Sequence, residues 1–175
     1  MQGRRQPASR RTVRPSQSQS RSSGSGRRRR RPQARVSAVR FVDTNVLIYA
    51  ASPAPDEADK QRSAQRLLEE GDLALSVQVL QEFYHQATRS NRLGAITQED
   101  ALQFIESIRH FPVQDITLDV FHAATSISRR FRLSYWDGAI LAAARTLGCD
   151  AVYSEDLSSE QDYDGLRVID PFTDQ

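Results

Sequence analysis

Four acidic residues of this sequence occupy separate positions from which carboxylates could bind one divalent cation together. They are Asp43, Glu82, Asp137 and Asp156. Hard cations such as Mg²⁺ take oxygen ligands, and few protein carboxylates are needed because water and phosphate oxygens complete the coordination shell. A cation held in this way makes a bound water more acidic and stabilises negative charge on a phosphate. The four residues therefore predict an acidic metal site.

Each carboxylate also has an ordinary structural explanation. Asp43 could N-cap the helical turn that follows it, and Asp137 forms a capping-box pattern with Ser134. Glu82 could be a solvated residue beside an apolar helix face, and Asp156 could be a turn residue. Acids are common at helix starts, so each explanation is reasonable by itself. Taken together they account less well for all four residues, and the spacing alone leaves both interpretations open.

The elements that would position these residues alternate between short strands and helices. Short apolar runs predict strands at residues 39–42, 73–75, 111–116, 151–153 and 166–169. Apolar periodicity and capping residues predict helices at residues 56–71, 76–87, 118–131 and 135–147, and another after Thr97. This alternation predicts an α/β fold with a short-stranded, mainly parallel central sheet and helices on both faces. Ligands bind beyond the carboxyl ends of such strands, where the four acids would meet.

The charge of the chain is divided between two segments of opposite sign. Residues 1–35 contain 12 of the 24 basic residues and none of the 22 acids, so residues 36–175 carry a net charge of −10. The composition of 1–35 predicts a disordered Arg/Ser-rich tail before one domain at 36–175. The tail could tether the protein to nucleic acid. Alternatively, initiation occurs near Val36 and the tail is a mis-assigned start, which the mass of the native N-terminus would decide.

Several other functional classes are disfavoured by the composition. The single cysteine, Cys149, cannot form an intrachain disulfide or supply a zinc site alone, and is predicted to be a small buried residue. The sequence has no apolar run of about 18 residues, so we expect a soluble, cytoplasmic protein with no membrane association. The three histidines, His85, His110 and His122, are interpreted as structural or surface residues, and Trp136 as part of the core.

Four blocks of the sequence resemble, in order, the motifs of the PIN-domain nucleases. They are Phe41-Val42-Asp43-Thr44-Asn45-Val46-Leu47-Ile48-Tyr49, Ser76-Val77-Gln78-Val79-Leu80-Gln81-Glu82-Phe83, Ser134-Tyr135-Trp136-Asp137-Gly138-Ala139-Ile140 and Ser154-Glu155-Asp156-Leu157. The segment 166–172 is similar to the last strand of that family. The resemblance covers residues 36–175 and is closest to bacterial VapC-type toxins, although a basic tail is unusual among them.

The resemblance implies a PIN-like three-layer α/β/α fold and a ribonuclease that uses Mg²⁺ or Mn²⁺. It implies that the catalytic metal ligands are the four acids, Asp43, Glu82, Asp137 and Asp156, with Asp156 selected over its neighbour Glu155. Thr44, Asn45 and Ser154 would orient the carboxylates through hydrogen bonds. The expected partners are an RNA substrate, a cognate antitoxin protein and a second copy in a homodimer.

Two alternatives to a nuclease remain at this point. A catalytically inactive PIN-like module would keep the fold and bind RNA or protein without metal chemistry. A haloacid-dehalogenase-like phosphohydrolase also places an Asp after its first strand, but it requires a second Asp two residues later, where this chain has Asn45. Metal-dependent loss of an RNA substrate would separate the nuclease from both.

Overall fold

A parallel sheet of five short strands forms the centre of the fold. The computed structural model describes residues 39–69 and 71–173, so the predicted tail at 1–35 lies outside the described residues. The strands are β1 Arg40–Val42, β2 Leu73–Ser76, β3 Val113–Gln114, β4 Ala151–Tyr153 and β5 Arg167–Ile169. Their order is β3-β2-β1-β4-β5, and every neighbouring pair is parallel. The prediction of a parallel central sheet is confirmed.

Within the described residues, six α-helices connect the strands. They are α1 Thr44–Ala51, α2 Ala58–Glu69, α3 Val77–Ala87, α4 Gln98–Ser107, α5 Leu118–Phe131 and α6 Tyr135–Thr146. A 3₁₀ turn at Pro55–Glu57 precedes α2. The side chains of Ser76, Thr97 and Ser134 each accept a hydrogen bond from the backbone N–H three residues later, which confirms three predicted helix starts. No helix in the described part of the chain combines the length and apolar character needed to cross a membrane.

The core lies between the sheet and the helices that cover it. All four residues of β2 and all three of β4 are buried, as expected for strands covered on both faces. The largest fully buried apolar side chains include Phe41 of β1 and Phe83 of α3. Helices α5 and α6 approach closely at Gly138, where an added Cβ would lie 2.6 Å from the backbone oxygen of Ala124. This glycine therefore sets the position of the first turn of α6.

Cys149 is buried, with 9% of its surface exposed, which confirms its predicted place in the core. Burial raises the pKa of its thiol to about 11. Since the thiolate is the reactive form, we expect iodoacetamide at about pH 8 to label the native protein roughly a hundredfold more slowly than the urea-unfolded protein. Mass spectrometry of the two time courses measures this ratio. Equal labelling rates would contradict the buried position.

Candidate active site

Asp43 follows the central strand β1 and is the most buried of the four predicted carboxylates. Its side chain accepts a hydrogen bond from the backbone N–H of Thr44 at 2.6 Å and thereby caps α1. Its own N–H donates to the backbone oxygen of Tyr153 at 3.0 Å, which extends the pairing of β1 with β4. Only 4% of the residue is exposed. The capping interpretation is thus correct, and the cap also fixes the direction in which the carboxylate points.

Two neighbouring side chains join Asp43 to the turn after β4. The Ser154 hydroxyl donates to Asp43 Oδ2 at 2.6 Å. Asn45 Nδ2 lies 3.3 Å from Asp43 Oδ2 and 3.2 Å from Asp156 Oδ2, so one amide group bridges the two carboxylates. Ser154 Oγ also accepts hydrogen bonds from the N–H groups of Asp156 and Leu157 at 3.1 and 3.3 Å. These contacts hold Asp156 against the end of β1.

Glu82, in the second turn of α3, extends towards Thr44 at the start of α1. The Thr44 hydroxyl donates to Glu82 Oε2 at 3.1 Å. Three of the four predicted carboxylates, Asp43, Glu82 and Asp156, are therefore linked by hydrogen bonds through Thr44, Asn45 and Ser154. We call these six residues the carboxylate network.

Asp137 forms no hydrogen bond with the described residues of the carboxylate network. Its N–H donates to Ser134 Oγ at 3.1 Å, which is the N-cap half of the capping box expected from the sequence, and its Oδ2 accepts from the Ser134 hydroxyl at 2.8 Å. Among the described residues, no hydrogen bond joins it to another of the four acids. Burial raises the pKa of Tyr163, and the charge of Asp137 adds to that rise. Asp137 is therefore close enough to influence the segment that follows Asp156.

The electrostatics of Asp43 follow from burial and from its acidic neighbours. The pKa of Asp43 is raised to about 7, mainly by burial and also by the charges of Asp156 and Glu82, against the opposing hydrogen bonds from Ser154 and Thr44. No ion pair with Lys or Arg neutralises any of the four acids in the part of the chain that the structure describes. A cation beside them would stabilise the ionised carboxylates.

The oxygen donors of the carboxylate network suit a hard divalent ion such as Mg²⁺ or Mn²⁺. The arrangement of these donors fits a metal ion less well than their chemical type does. Across residues 39–69 and 71–173, no group of three His, Cys, Asp or Glu side chains is arranged to hold a metal ion. Asn45 has a buried side-chain oxygen, Oδ1, that accepts no hydrogen bond. The donor types therefore fit a metal, whereas the carboxylates are separated by the amide and hydroxyl groups that hold them.

Glu155, next to Asp156 in the sequence, belongs to a different cluster. It lies 2.5 Å from Lys60 Nζ of α2 and accepts from the Tyr49 hydroxyl of α1 at 2.6 Å. Lys60 Nζ also lies 4.4 Å from the centre of the Tyr49 ring. The structure thus places Glu155 in an ion pair and Asp156 beside Asn45.

We expect Lys60→Met to lower the free energy of unfolding by about 1 kcal/mol, because Glu155 loses its cation in a partly buried place. Urea denaturation monitored by circular dichroism measures the change. Arg62→Met is the matched control, since Arg62 is on the same helix and pairs with Asp59 on an exposed surface. It should change stability by less than about 0.5 kcal/mol. Equal effects of the two variants would contradict a special contribution of Lys60.

A pocket beside Glu82 contains residues that the sequence interpretation missed. Its volume is about 350 Å³, and it is lined by Gln78, Gln81, Glu82, His85, Gln86 and Trp136. Trp136 is 59% exposed, so its predicted place in the core is wrong. The buried side of α6 begins at Gly138 and Ala139, and Trp136 precedes it in the first turn. The helical spacing of the five α3 residues is a sequence signal that could have identified this polar surface.

Comparisons with known proteins find solved structures with a similar fold. The structure is similar to Mycobacterium tuberculosis VapC20, a sarcin–ricin loop cleaving toxin, with 20% identity, a TM-score of 0.53 and coverage of 66% of this chain and 88% of that one. It is also similar to a toxin–antitoxin complex from Klebsiella pneumoniae, with 19% identity and a TM-score of 0.55. This match covers 75% of this chain and 97% of the other chain. FitAcB from Neisseria gonorrhoeae has 17% identity and a TM-score of 0.54, and the match covers 77% of this chain and 99% of the other chain. At these identities the likeness establishes the fold.

A comparison with curated protein sequences gives no match. The family model of the PIN domain matches residues 40–160, a segment that includes all four acids and all five elements from which the carboxylate network and the adjoining pocket are built. On this match and the parallel sheet described above, the chain belongs to the PIN domain family.

Proposed function

We propose that this protein is a metal-dependent endoribonuclease that hydrolyses phosphodiester bonds of RNA. The observation that carries the proposal is the buried Asp43 carboxylate at the end of β1, linked through Asn45 to Asp156 and through Thr44 to Glu82. Membership of a family of nucleases supports the reaction type. The similarity to a toxin described as cleaving the sarcin–ricin loop supports RNA as the substrate.

In this proposal, Asp43, Glu82, Asp137 and Asp156 hold Mg²⁺ or Mn²⁺. The bound metal supplies an acidified water and stabilises negative charge on the phosphate. Ser154 and Asn45 restrict the Asp43 and Asp156 carboxylates to one side of the β1 end. Thr44 does the same for Glu82. Because ionised carboxylates carry negative charge, they repel RNA until a cation compensates for them.

The test is cleavage of a mixed RNA substrate by the purified chain with Mg²⁺, with Mn²⁺ and with EDTA. We expect fragments with either metal and intact RNA with EDTA. Addition of Mg²⁺ should also raise the melting temperature, because a ligand that binds the native state stabilises it. RNA that stays intact with both metals, in a correctly folded preparation, would refute the proposal.

We further propose that the nuclease is the toxin of a toxin–antitoxin pair and forms a homodimer. Structures similar to this chain include a toxin–antitoxin complex from Klebsiella pneumoniae and VapBC2 from Rickettsia felis bound to a DNA fragment from their promoter. A small open reading frame beside the gene, whose product co-purifies with this chain and suppresses its cleavage of RNA, would support the pairing. Growth arrest that this product does not relieve would contradict it.

One observation favours a second candidate, a PIN-like module that binds RNA or protein without cleavage. The described acids do not form a ready three-residue metal group. Such a module would bind RNA equally well in EDTA and Mg²⁺ and would leave it intact. The cleavage experiment therefore distinguishes the two candidates in one assay.

A further inference from the structure

The pocket beside Glu82 presents one face of α3 together with the first turn of α6. Gln78, Gln81, Glu82, His85 and Gln86 follow each other at the spacing of a single helical face. Gln78 Nε2 donates to the backbone oxygen of Trp136 at 3.4 Å, which joins the two helices at the pocket. The walls of the pocket are therefore fixed by secondary structure.

Trp136 gives the pocket an aromatic wall. The side chain is exposed although Trp is among the most costly residues to leave in water. Its ring contacts that of Tyr135 edge-to-face, with centroids 5.3 Å apart at 74°, so a neighbouring aromatic ring supports the indole. Single-stranded RNA is commonly bound by stacking its bases on exposed aromatic rings of this kind.

We propose that this pocket binds an unpaired nucleobase of the RNA substrate next to the bond that is cleaved. The base stacks on Trp136, and the amides of Gln81 and Gln86 bind its polar edge. This inference rests on the proposed function, because Glu82 lines the pocket and also belongs to the carboxylate network. A base in the pocket would place its own phosphate beside the carboxylates.

The composition of the lining favours a base over other groups. Glutamine amides contain both a donor and an acceptor, which is what the edge of a base requires, and the Glu82 carboxylate can accept from an exocyclic amino group. The described lining residues include no Lys or Arg, so the pocket is not built for a phosphate. A volume of about 350 Å³ gives ample room for one base. The pocket thus contributes sequence preference, while the metal site contributes cleavage.

The first experiment uses the fact that Trp136 is the only tryptophan of the chain. Uncharged nucleosides are the probes, since they cannot be cleaved and do not need the metal. Adenosine, cytidine, guanosine and uridine are titrated into the protein in EDTA while tryptophan fluorescence is recorded, with ribose as the blank. We expect saturable quenching by at least one nucleoside and a difference of about threefold or more between the best and worst base.

The second experiment measures cleavage kinetics of Trp136→Ala and Trp136→Phe. We expect Trp136→Ala to raise KM roughly tenfold with kcat changed less than about threefold, and Trp136→Phe to restore most of the loss because it keeps a ring. Leu93→Ala is the control, since Leu93 is 65% exposed and lies outside the pocket. Its KM should be unchanged.

The outcomes separate this inference from the proposed function. No quenching by any nucleoside, with an unchanged KM for Trp136→Ala, would overturn the base pocket while leaving the ribonuclease intact. Loss of self-association or of antitoxin binding in Trp136→Ala, with unchanged RNA kinetics, would assign the surface to a protein and overturn it as well. If the wild-type chain does not cleave RNA but nucleosides quench Trp136 selectively, base binding at the pocket stands, whereas the proposed function fails and with it the position of the pocket beside a cleaved bond.

Discussion

Replacement of Asp43 by Asn is expected to reduce RNA cleavage at least about a hundredfold and to leave the fold intact. The change removes the carboxylate charge on which metal binding depends. Asn keeps the size of Asp and an oxygen that can accept the hydrogen bond from the Thr44 N–H, so the cap of α1 is preserved. Single-turnover cleavage rates with Mg²⁺ measure the loss. Circular dichroism and the unfolding midpoint verify the fold.

The same variant should have lost the stabilisation that Mg²⁺ gives to the wild-type protein. Asp119→Asn is the matched control, because Asp119 is an exposed acid in the first turn of α5, outside the carboxylate network. It should retain both wild-type cleavage and the response to Mg²⁺. Full activity of a correctly folded Asp43→Asn variant would remove Asp43 from the proposed metal ligands.

A substitution at the contact of α5 with α6 is expected to have the largest effect on stability. Gly138→Val should lower the free energy of unfolding by about 3 kcal/mol, even though Gly is intrinsically unfavourable in a helix. The added Cβ would lie 2.6 Å from Ala124 O and 3.0 Å from Ser128 Cβ. Because Ala124 contributes a backbone atom, no side-chain rotation relieves the clash and the two helices must separate.

Urea denaturation measures this loss against two comparison variants. Gly138→Ala should destabilise in the same direction by a smaller amount, about 1–2 kcal/mol, since it adds only the Cβ. Ser126→Val places the same side chain on the exposed side of α5 and should change stability by less than about 0.5 kcal/mol. A Gly138→Val variant as stable as the wild type would show that the helices separate at little cost.

Much of the fold was predictable because its signals are local. Ser76, Thr97 and Ser134 cap their helices through backbone groups three residues away, a relation that a short stretch of sequence contains. The strands are short apolar runs between helices, which predicts a parallel sheet. The strand predicted at 111–116 was too long, since only Val113 and Gln114 pair with β2 at the edge of the sheet.

The site was predictable in part, for reasons that the individual residues make clear. Asp43 and Asp156 follow adjacent parallel strands, so their proximity follows from topology. The ion pair of Lys60 with Glu155 joins residues 95 positions apart and depends on how α2 packs, which no local pattern specifies. The apolar character of Trp136 predicts burial, but its position before the buried side of α6 leaves the side chain exposed. Metal binding by the four acids, Asp137 included, stays a prediction.

The hydrogen bond from Ser154 to Asp43 spans 111 positions of the chain and has a consequence for synthesis on the ribosome. Asp43 is translated long before Ser154, and at about 5–20 residues per second this interval lasts roughly 5–20 s. During that time β1 has no β4 beside it, and the nascent chain lacks Ser154 and Asp156, two of the six residues of the carboxylate network. Under the proposed function, the chain therefore stays inert beside its own message until its later half has been made.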